Sequence, residues 1–287
     1  MSSPDTGPGV SPRTRALAVM RRVGGHRRIL PLTALLLRAR TVRPAALFLA
    51  RERLGHGGPY VYELRESGLK VVIRHGTGDV VTLGEVFHEH DYEPPGEVAE
   101  RLSGARRIVD LGANIGLFGI FAAARWPLAE IVGYEPDPAN AAIHERAIAA
   151  NALSSRWRLT RAAAGAAAGT AAFIAGDVAL SRLAVEGEAL DSESARRIEV
   201  PVQDVLPEVA GADLVKMDIE GGEWAILADA RFRESPPRAL VLEYHPRLAP
   251  AGDPRSSVEA ALELAGLRTR GIWHRADGHG MLWAWQS

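Results

Sequence analysis

From Arg106 onward the chain alternates short apolar runs with stretches whose apolar residues recur at helical spacing. Arg107–Leu111 predicts a buried strand, Leu117–Arg125 a helix, Glu130–Tyr134 a second strand and Pro138–Ala150 a second helix. Further strands are expected at Trp157–Thr160, 213–217 and Ala239–Tyr244, with a helix over 256–265. Strands that alternate with helices need crossover connections, so they build a parallel sheet covered on both faces. The chain ends differently. Leu267–His274 and residues 281–286 flank Asp277-Gly278, a hairpin signature that closes the mostly parallel sheet with an antiparallel pair. Trp273, Trp283 and Trp285 fall in that hairpin, where alternation predicts core packing.

Before Arg106 the pattern is less regular. Residues 1–12 are rich in Pro, Gly and Ser and read as a disordered leader. Residues 14–53 read as helical segments broken near Gly24-Gly25, at Pro31 and at Pro44. Tyr60–Leu64 and residues 69–74 look like a hairpin around Ser67-Gly68, and 85–90 like a helical turn ended by Pro94-Pro95. The alanine- and glycine-rich stretch 162–172 reads as a strand end and a turn. The chain thus divides into a leader (1–12), a helical and hairpin N-terminal segment (13–95) and a core (96–287).

Composition narrows the classes. At 287 residues there is room for a large α/β domain plus an added segment, and 47% hydrophobic with 24% charged residues is a globular balance. The chain has no cysteine, which excludes disulfides, thiolate zinc sites and cysteine nucleophiles and fits a reducing, cytoplasmic setting. A net charge of −1 gives no pull toward nucleic acid or membrane, so neither is an expected partner. Eleven arginines lie between Arg13 and Arg53, while residues 1–56 hold only Asp5 and Glu52 as acids. A surface helix with an arginine-rich outer face is expected there, and its burial in a homodimer is left open. The apolar run 29–37 falls short of the ~20 residues a membrane span needs, and nothing calls for export.

Two clusters carry the chemistry. Asp110-Leu-Gly112-Ala-Asn114-Ile-Gly116 follows the first core strand, where a tight turn into a helix brings backbone close to a ligand. Asp110 there suits a ligand with an ammonium and a sulfonium better than a pyrophosphate. Glu135, after the second strand, can accept hydrogen bonds from ribose hydroxyls. Asp137 either caps the following helix or faces the adenosine. A dinucleotide fingerprint wants glycine where this chain has Asn114, so an NAD-dependent oxidoreductase is the weaker reading. The second cluster, Lys216-Met-Asp218-Ile-Glu220-Gly221-Gly222-Glu223, should face the same crevice. Asp218 could touch the sulfonium region, bind a metal or act as a base. Glu223 reads as a helix-start acid with a structural role.

Taken in order, Val109-Asp-Leu-Gly-Ala-Asn-Ile-Gly116, Tyr134-Glu-Pro-Asp-Pro138, Asn151 and Lys216-Met-Asp-Ile-Glu-Gly221 resemble the FkbM methyltransferases. Upstream, Arg74-His-Gly-Thr-Gly-Asp79, Glu85-Val-Phe87 and Tyr92 resemble the segment that precedes the core in that family. The resemblance implies a Rossmann-like class I methyltransferase fold, α/β with a mostly parallel sheet, and S-adenosyl-L-methionine as cofactor. It assigns cofactor contacts to Asp110, Gly112, Asn114, Gly116 and Glu135. It also implies O-methylation, often of secondary metabolites.

Methyl transfer from a sulfonium is an in-line displacement, and a hydroxyl acceptor also needs a base. His245, after the strand Ala239–Tyr244, is the first candidate, then Asp218 with Glu220 beside it, then Glu243. Tyr92 and Asp218 are expected against the cofactor, and the N-terminal segment as a lid or part of the acceptor pocket. His88, Glu89, His90 and Asp91 are consecutive and cannot all converge on an ion, so they read as a solvated turn and no metal is assigned. A small-molecule hydroxyl is the expected acceptor. Transfer to nitrogen or an indole-type carbon is the nearest alternative, and a non-catalytic binding module the more distant one.

Overall fold

Pro31 and Pro44 each stand directly before a helix, where a missing backbone N–H costs nothing. Those helices are α1, Leu32–Ala39, and α2, Ala45–Leu54, with the short strand β1, Val42–Arg43, between them. The computed structural model describes residues 31–55, 58–176, 181–184 and 195–287. The leader at 1–12 and the start of the arginine-rich segment lie outside the described residues. β2, Tyr60–Leu64, and β3, Lys70–Ile73, form the expected hairpin, and β1 adds to it antiparallel. α3, Asp79–Phe87, starts earlier than the turn expected at 85–90, and α4, Gly96–Arg101, follows.

β4, Arg107–Leu111, α5, Leu117–Arg125, β5, Glu130–Tyr134, α6, Pro138–Ala150, and β6, Trp157–Thr160, fall where the pattern placed them. A second sheet then intervenes. It consists of β7, Ala163–Gly165, β8, Gly169–Ala175, β9, Arg182–Leu183, and β10, Arg196–Asp204, in the order β7-β10-β8-β9. Residues 162–172 therefore hold a strand and the start of another rather than a strand end and turn. The signal is weak because these strands are mostly half-exposed and rich in small residues, with a minor core of Ala163, Phe173, Ala175 and Val200.

α7, Leu206–Val209, leads to β11, Leu214–Met217, and α8, Glu223–Ala228, and α9, Ala230–Glu234, lead to β12, Ala239–Tyr244. α10, Pro254–Leu264, precedes the closing hairpin of β13, Leu267–His274, and β14, Gly280–Gln286. The main sheet runs β13-β14-β12-β11-β4-β5-β6, with β14 antiparallel to both neighbours and the other pairs parallel. This is the Rossmann-like, hairpin-closed α/β sheet expected from the sequence. The chain leaves β4 toward β5 on one side and returns to β11 on the other. The crevice at their carboxyl ends is the topological switch point where ligands bind in open α/β sheets.

Strand residues alternate between two apolar layers. Ile108, Leu214, Val241, Trp283 and Trp285 share one layer with α5 and with Leu35, Phe48, Val71 and Leu83 of the N-terminal segment. Val109, Leu111, Val215, Met217, Leu240 and Leu242 face the other. By the same alternation Asp110, Lys216 and Glu243 point to the first layer, at the end of the sheet that opens on the switch point.

The arginine-rich face departs from expectation. On α1 it is Leu32 and Leu36 that are exposed, whereas Arg38 is buried. Gly84 of α3 leaves the slot for it, since a Cβ there would run into the guanidinium. Arg38 Nη2 donates to Glu89 Oε1 at 2.9 Å, so Glu89 is a partner of a buried cation and not part of a solvated turn. Among the described residues no helix is long and apolar enough to cross a membrane.

Gly119 of α5 faces the buried Trp157 indole, and any Cβ there would strike the ring. Gly119→Val is expected to cost about 1–3 kcal/mol by overpacking, read as a lower urea midpoint. An unchanged midpoint would mean that α5 does not seat on Trp157.

Candidate active site

The turn that leaves β4 is constrained from both sides. Gly112, Asn114 and Gly116 have φ of 76°, 48° and 86°, a region that glycine and asparagine tolerate best. A Cβ on Gly112 would collide with the carbonyl oxygen of Asp218, and one on Gly116 would lie 2.9 Å from the His144 ring. His144 Nδ1 donates to the Asn114 carbonyl oxygen at 3.2 Å, because a carbonyl can only accept. Burial pushes the His144 pKa down to about 4, so a neutral ring braces the turn.

Glu135 follows β5. Its Oε2 accepts the Asn114 backbone N–H and its Oε1 that of Asp137, each at 2.8 Å. Burial nonetheless pushes its pKa up to about 7. The carboxylate lines the cavity at the switch point and has capacity for further donors. Asp137 is turned elsewhere. Its Oδ1 caps α6 through the N–H groups of Ala139 and Asn140 at 2.8 and 3.4 Å. Its Oδ2 accepts from the Gly176 N–H and the Ser181 hydroxyl, both at 3.2 Å. Of the two roles left open for Asp137 the structure displays the cap, and the residue is absent from the cavity wall.

Asp110 and Lys216 stand opposite one another on β4 and β11. Asp110 is fully buried, with Lys216 Nζ 3.6 Å from its Oδ1 and no hydrogen bond to either oxygen among the described residues. Burial pushes its pKa up to about 6 against the pull of Lys216. The ammonium donates to the Gly112 carbonyl oxygen at 2.7 Å and lies 3.7 Å from Asp218 Oδ2. Burial acts to lower the Lys216 pKa, but Asp218, Asp110, Glu243 and Glu135 outweigh it and raise the pKa. Lys216 lines the cavity and Asp110 does not.

The turn after β11 passes through Glu220 and Gly221, with φ of 53° and 104°. It delivers Glu223, fully buried, whose Oε2 accepts the Gly221 N–H at 2.8 Å. Glu223 Oε1 accepts both the His245 backbone N–H at 2.7 Å and its Nδ1 at 3.1 Å. His245 is thereby oriented: its Nε2 lies 3.3 Å from Glu220 Oε2, 3.7 Å from Asp218 Oδ1 and 4.0 Å from Glu243 Oε1. Burial alone would lower the His245 pKa, but Glu220 and then Glu223 lift it to about 10.

The N-terminal segment supplies the remaining wall. Thr82, Glu85 and Val86 of α3 and Tyr92 beyond it line the cavity with Phe118 of α5. Tyr92 meets Phe118 edge-on at 5.3 Å, and burial holds its hydroxyl well above the usual phenol range. Arg74 clamps this segment to the core. It donates from Nε and Nη2 to Asp79, both at 2.9 Å, and from Nη2 to Asn140 of α6 at 2.7 Å.

Sequence reasoning placed Gly112, Asn114, Glu135, Tyr92, Asp218 and Glu220 around one crevice, and the structure brings them together, with Gly116, Asp110 and His245 behind its wall. It missed Lys216, His144, Asn140 and the orienting role of Glu223. A lysine inside the apolar run Leu214–Met217 was the available signal, because an unpaired charge is not tolerated in a buried strand.

Residues 110–266 match the family model described as the methyltransferase FkbM domain. A curated relative, the methyltransferase sdnD of Sordaria araneosa, is 27% identical over 225 residues, 66% of this chain and 83% of its own. Among solved structures, the precorrin-6y C5,15-methyltransferase of Geobacter metallireducens GS-15 is 14% identical, with a TM-score of 0.39 over 67% of this chain and 86% of its own. The magnesium protoporphyrin IX methyltransferase of Synechocystis PCC 6803 is 13% identical, with a TM-score of 0.39 over 90% of this chain and 100% of its own.

Two predictions follow from the buried charges. Lys216→Met leaves Asp110 uncompensated and should cost about 3–5 kcal/mol, while the Asp110→Asn/Lys216→Met double variant should be more stable than the single one. Chemical denaturation checks this, and a double variant no better than the single would refute the pairing. The second concerns Glu135, whose folded pKa of about 7 exceeds its ordinary 4.5. The folded state then binds its proton more tightly than the unfolded one, so stability falls as pH rises through that window. Glu135→Gln lacks this loss and should gain on the wild type between pH 4.5 and 7. Parallel unfolding midpoints would show the opposite.

Proposed function

The chain belongs to the FkbM methyltransferase family, and from that premise we propose that it transfers the methyl group of S-adenosyl-L-methionine to a hydroxyl oxygen of a small secondary metabolite. The observation that carries this reading is the charge of the switch-point cavity. Glu85, Glu135, Asp218, Glu220 and Glu243 line it against Lys216 and Arg182. Such a wall attracts a ligand bearing a sulfonium and an ammonium and repels a pyrophosphate, which argues against a nicotinamide dinucleotide.

The residues present fit the cofactor. Asn114 Oδ1 is buried with no hydrogen-bond partner among the described residues, an acceptor placed on the cavity wall. Glu135, held by two backbone donors, is positioned to accept from ribose hydroxyls. Asp218 and Asn114 suit the ammonium and Lys216 the carboxylate of the amino-acid end. Tyr92 and Phe118 provide an apolar aromatic wall to the cavity. The cofactor supplies an electrophilic methyl on sulfur, and the protein's task is alignment and removal of the acceptor proton.

For that proton Asp218 has the better geometry. It lines the cavity and its side chain is 26% exposed, whereas His245 is buried and off the wall. Neither the pocket nor its charge requires a macromolecular acceptor, and a small molecule entering past α3 is the simpler substrate.

Calorimetry with S-adenosylhomocysteine should show binding to the wild type and about tenfold weaker binding to Glu135→Gln, the loss expected for one charged hydrogen bond. NADH should give no heat. Binding of NADH without S-adenosylhomocysteine would move the protein to the oxidoreductases. Mass spectrometry of acceptor libraries, with the methylated atom located by NMR, separates oxygen from nitrogen or carbon transfer.

A further inference from the structure

We propose that Asp218, Glu220 and His245 form a binding site for one first-row divalent cation at the edge of the cavity. Among the described residues these three offer ligand atoms that all lie within 4.8 Å of one another. The set is mixed nitrogen and oxygen, which suits Mn²⁺, Fe²⁺, Co²⁺ or Zn²⁺ rather than the all-oxygen shells of calcium.

The surroundings are those of a ligand histidine. A metal-bound imidazole donates its second N–H to a carboxylate, which fixes the tautomer and the direction of the free nitrogen. Glu223 does this here, accepting from His245 Nδ1 at 3.1 Å while pinned by the N–H groups of Gly221 and His245. Nε2 is thereby aimed at the gap between Glu220 Oε2 and Asp218 Oδ1, at 3.3 and 3.7 Å. A cation placed in that gap needs inward shifts of side chains only, since His245 is already held by its backbone. Glu243 Oε1, 4.0 Å from Nε2, adds a fourth carboxylate to the group around one imidazole. Among the described residues the basic side chains near the cluster are Lys216, 3.7 Å from Asp218, Arg247, which donates to the Glu220 carbonyl oxygen at 3.4 Å, Arg182 on the same cavity wall, and His279, whose ring meets that of His245 edge-on at 5.3 Å. Lys216 is also engaged by Asp110, 3.6 Å from its Nζ.

Asp218 and Glu220 lie on the cavity wall and His245 does not, which puts the three ligands on one side and leaves open positions toward the cavity. The role of the site rests on the methyl-transfer reading: a cation there would bind the acceptor oxygen and make its hydroxyl more acidic, Asp218 ligating it through Oδ1 and accepting the hydroxyl proton on Oδ2. The site itself does not depend on that reading.

The test is titration of chelator-treated, full-length protein with Mn²⁺ followed by electron paramagnetic resonance. The expected result is one ion per chain, with ¹⁴N modulation from a single imidazole. Asp218→Asn and His245→Gln should abolish tight binding, and Glu223→Gln should weaken it about 10- to 100-fold, as loss of an outer partner does. Bound Mn²⁺ without nitrogen coupling in the wild type, or unchanged affinity in His245→Gln, overturns the proposal, and the first needs no variant to fold. S-adenosylhomocysteine binding is measured in the same chelated sample. Cofactor binding with no Mn²⁺ uptake rejects the metal site alone, whereas Mn²⁺ uptake without cofactor binding rejects the methyl-transfer reading alone.

Discussion

One ammonium holds the centre of this molecule together. Lys216 sits in a strand whose neighbours are all buried, and a lone charge there would cost several kcal/mol. It is tolerated because Nζ reaches the Gly112 carbonyl oxygen and stands between Asp110 and Asp218. Those three contacts belong to the end of β4 and to the two loops that flank the switch point. The loops are also in direct backbone contact, since Gly112 leaves no room for a side chain against the Asp218 carbonyl. The position of the first loop is therefore set by the second. A ligand that spans both meets a surface already assembled, with little ordering left to do on binding.

That rigidity extends outward through polar clamps. His144 braces the Asn114 turn from α6, Arg74 ties α3 to the same helix through Asp79 and Asn140, and Asn151 pairs with the backbone of Lys70. The N-terminal segment shares the main apolar layer with the sheet, so it is packed against the sheet as part of one core. Its contribution to the cavity, from Thr82 to Tyr92, is fixed by the same packing that buries Val80, Leu83 and Val86.

The sheet was legible because most of its strands are short, mainly apolar and followed by turns, and they alternate with helical stretches. The cofactor loop was legible for a related reason: Gly112 and Gly116 answer to backbone angles that few residues adopt. What stayed hidden depends on long-range pairing. Arg38 reads as one more surface arginine until Gly84 of α3 and Glu89 just beyond it are brought to it. Glu223 reads as a helix-start acid until His245, just past the end of β12, arrives on its carboxylate. The second sheet escaped notice because alanine and glycine carry little alternation, and its strands, β10 parallel to β7 and the other pairs antiparallel, surround a core of only four residues. At 88–91 the reading of a solvated turn missed Glu89, whose partner is the buried Arg38.

The balance of charge in the cavity also bears on turnover. On the proposed reading the reactant carries a sulfonium and the product a neutral thioether, so an acidic wall favours entry of the first and release of the second. Too strong an attraction, however, stabilises the ground state more than a transition state in which the positive charge is already dispersing. Asp110 and Asp218 would exert that attraction in full if they stood alone. Lys216, between them, moderates it while its own desolvation is offset by the same two carboxylates. A buried pair that looks at first like a structural necessity of β4 and β11 thus also tunes how tightly a cationic reactant is held. The lysine is the part of the site whose replacement should alter affinity and rate in opposite senses.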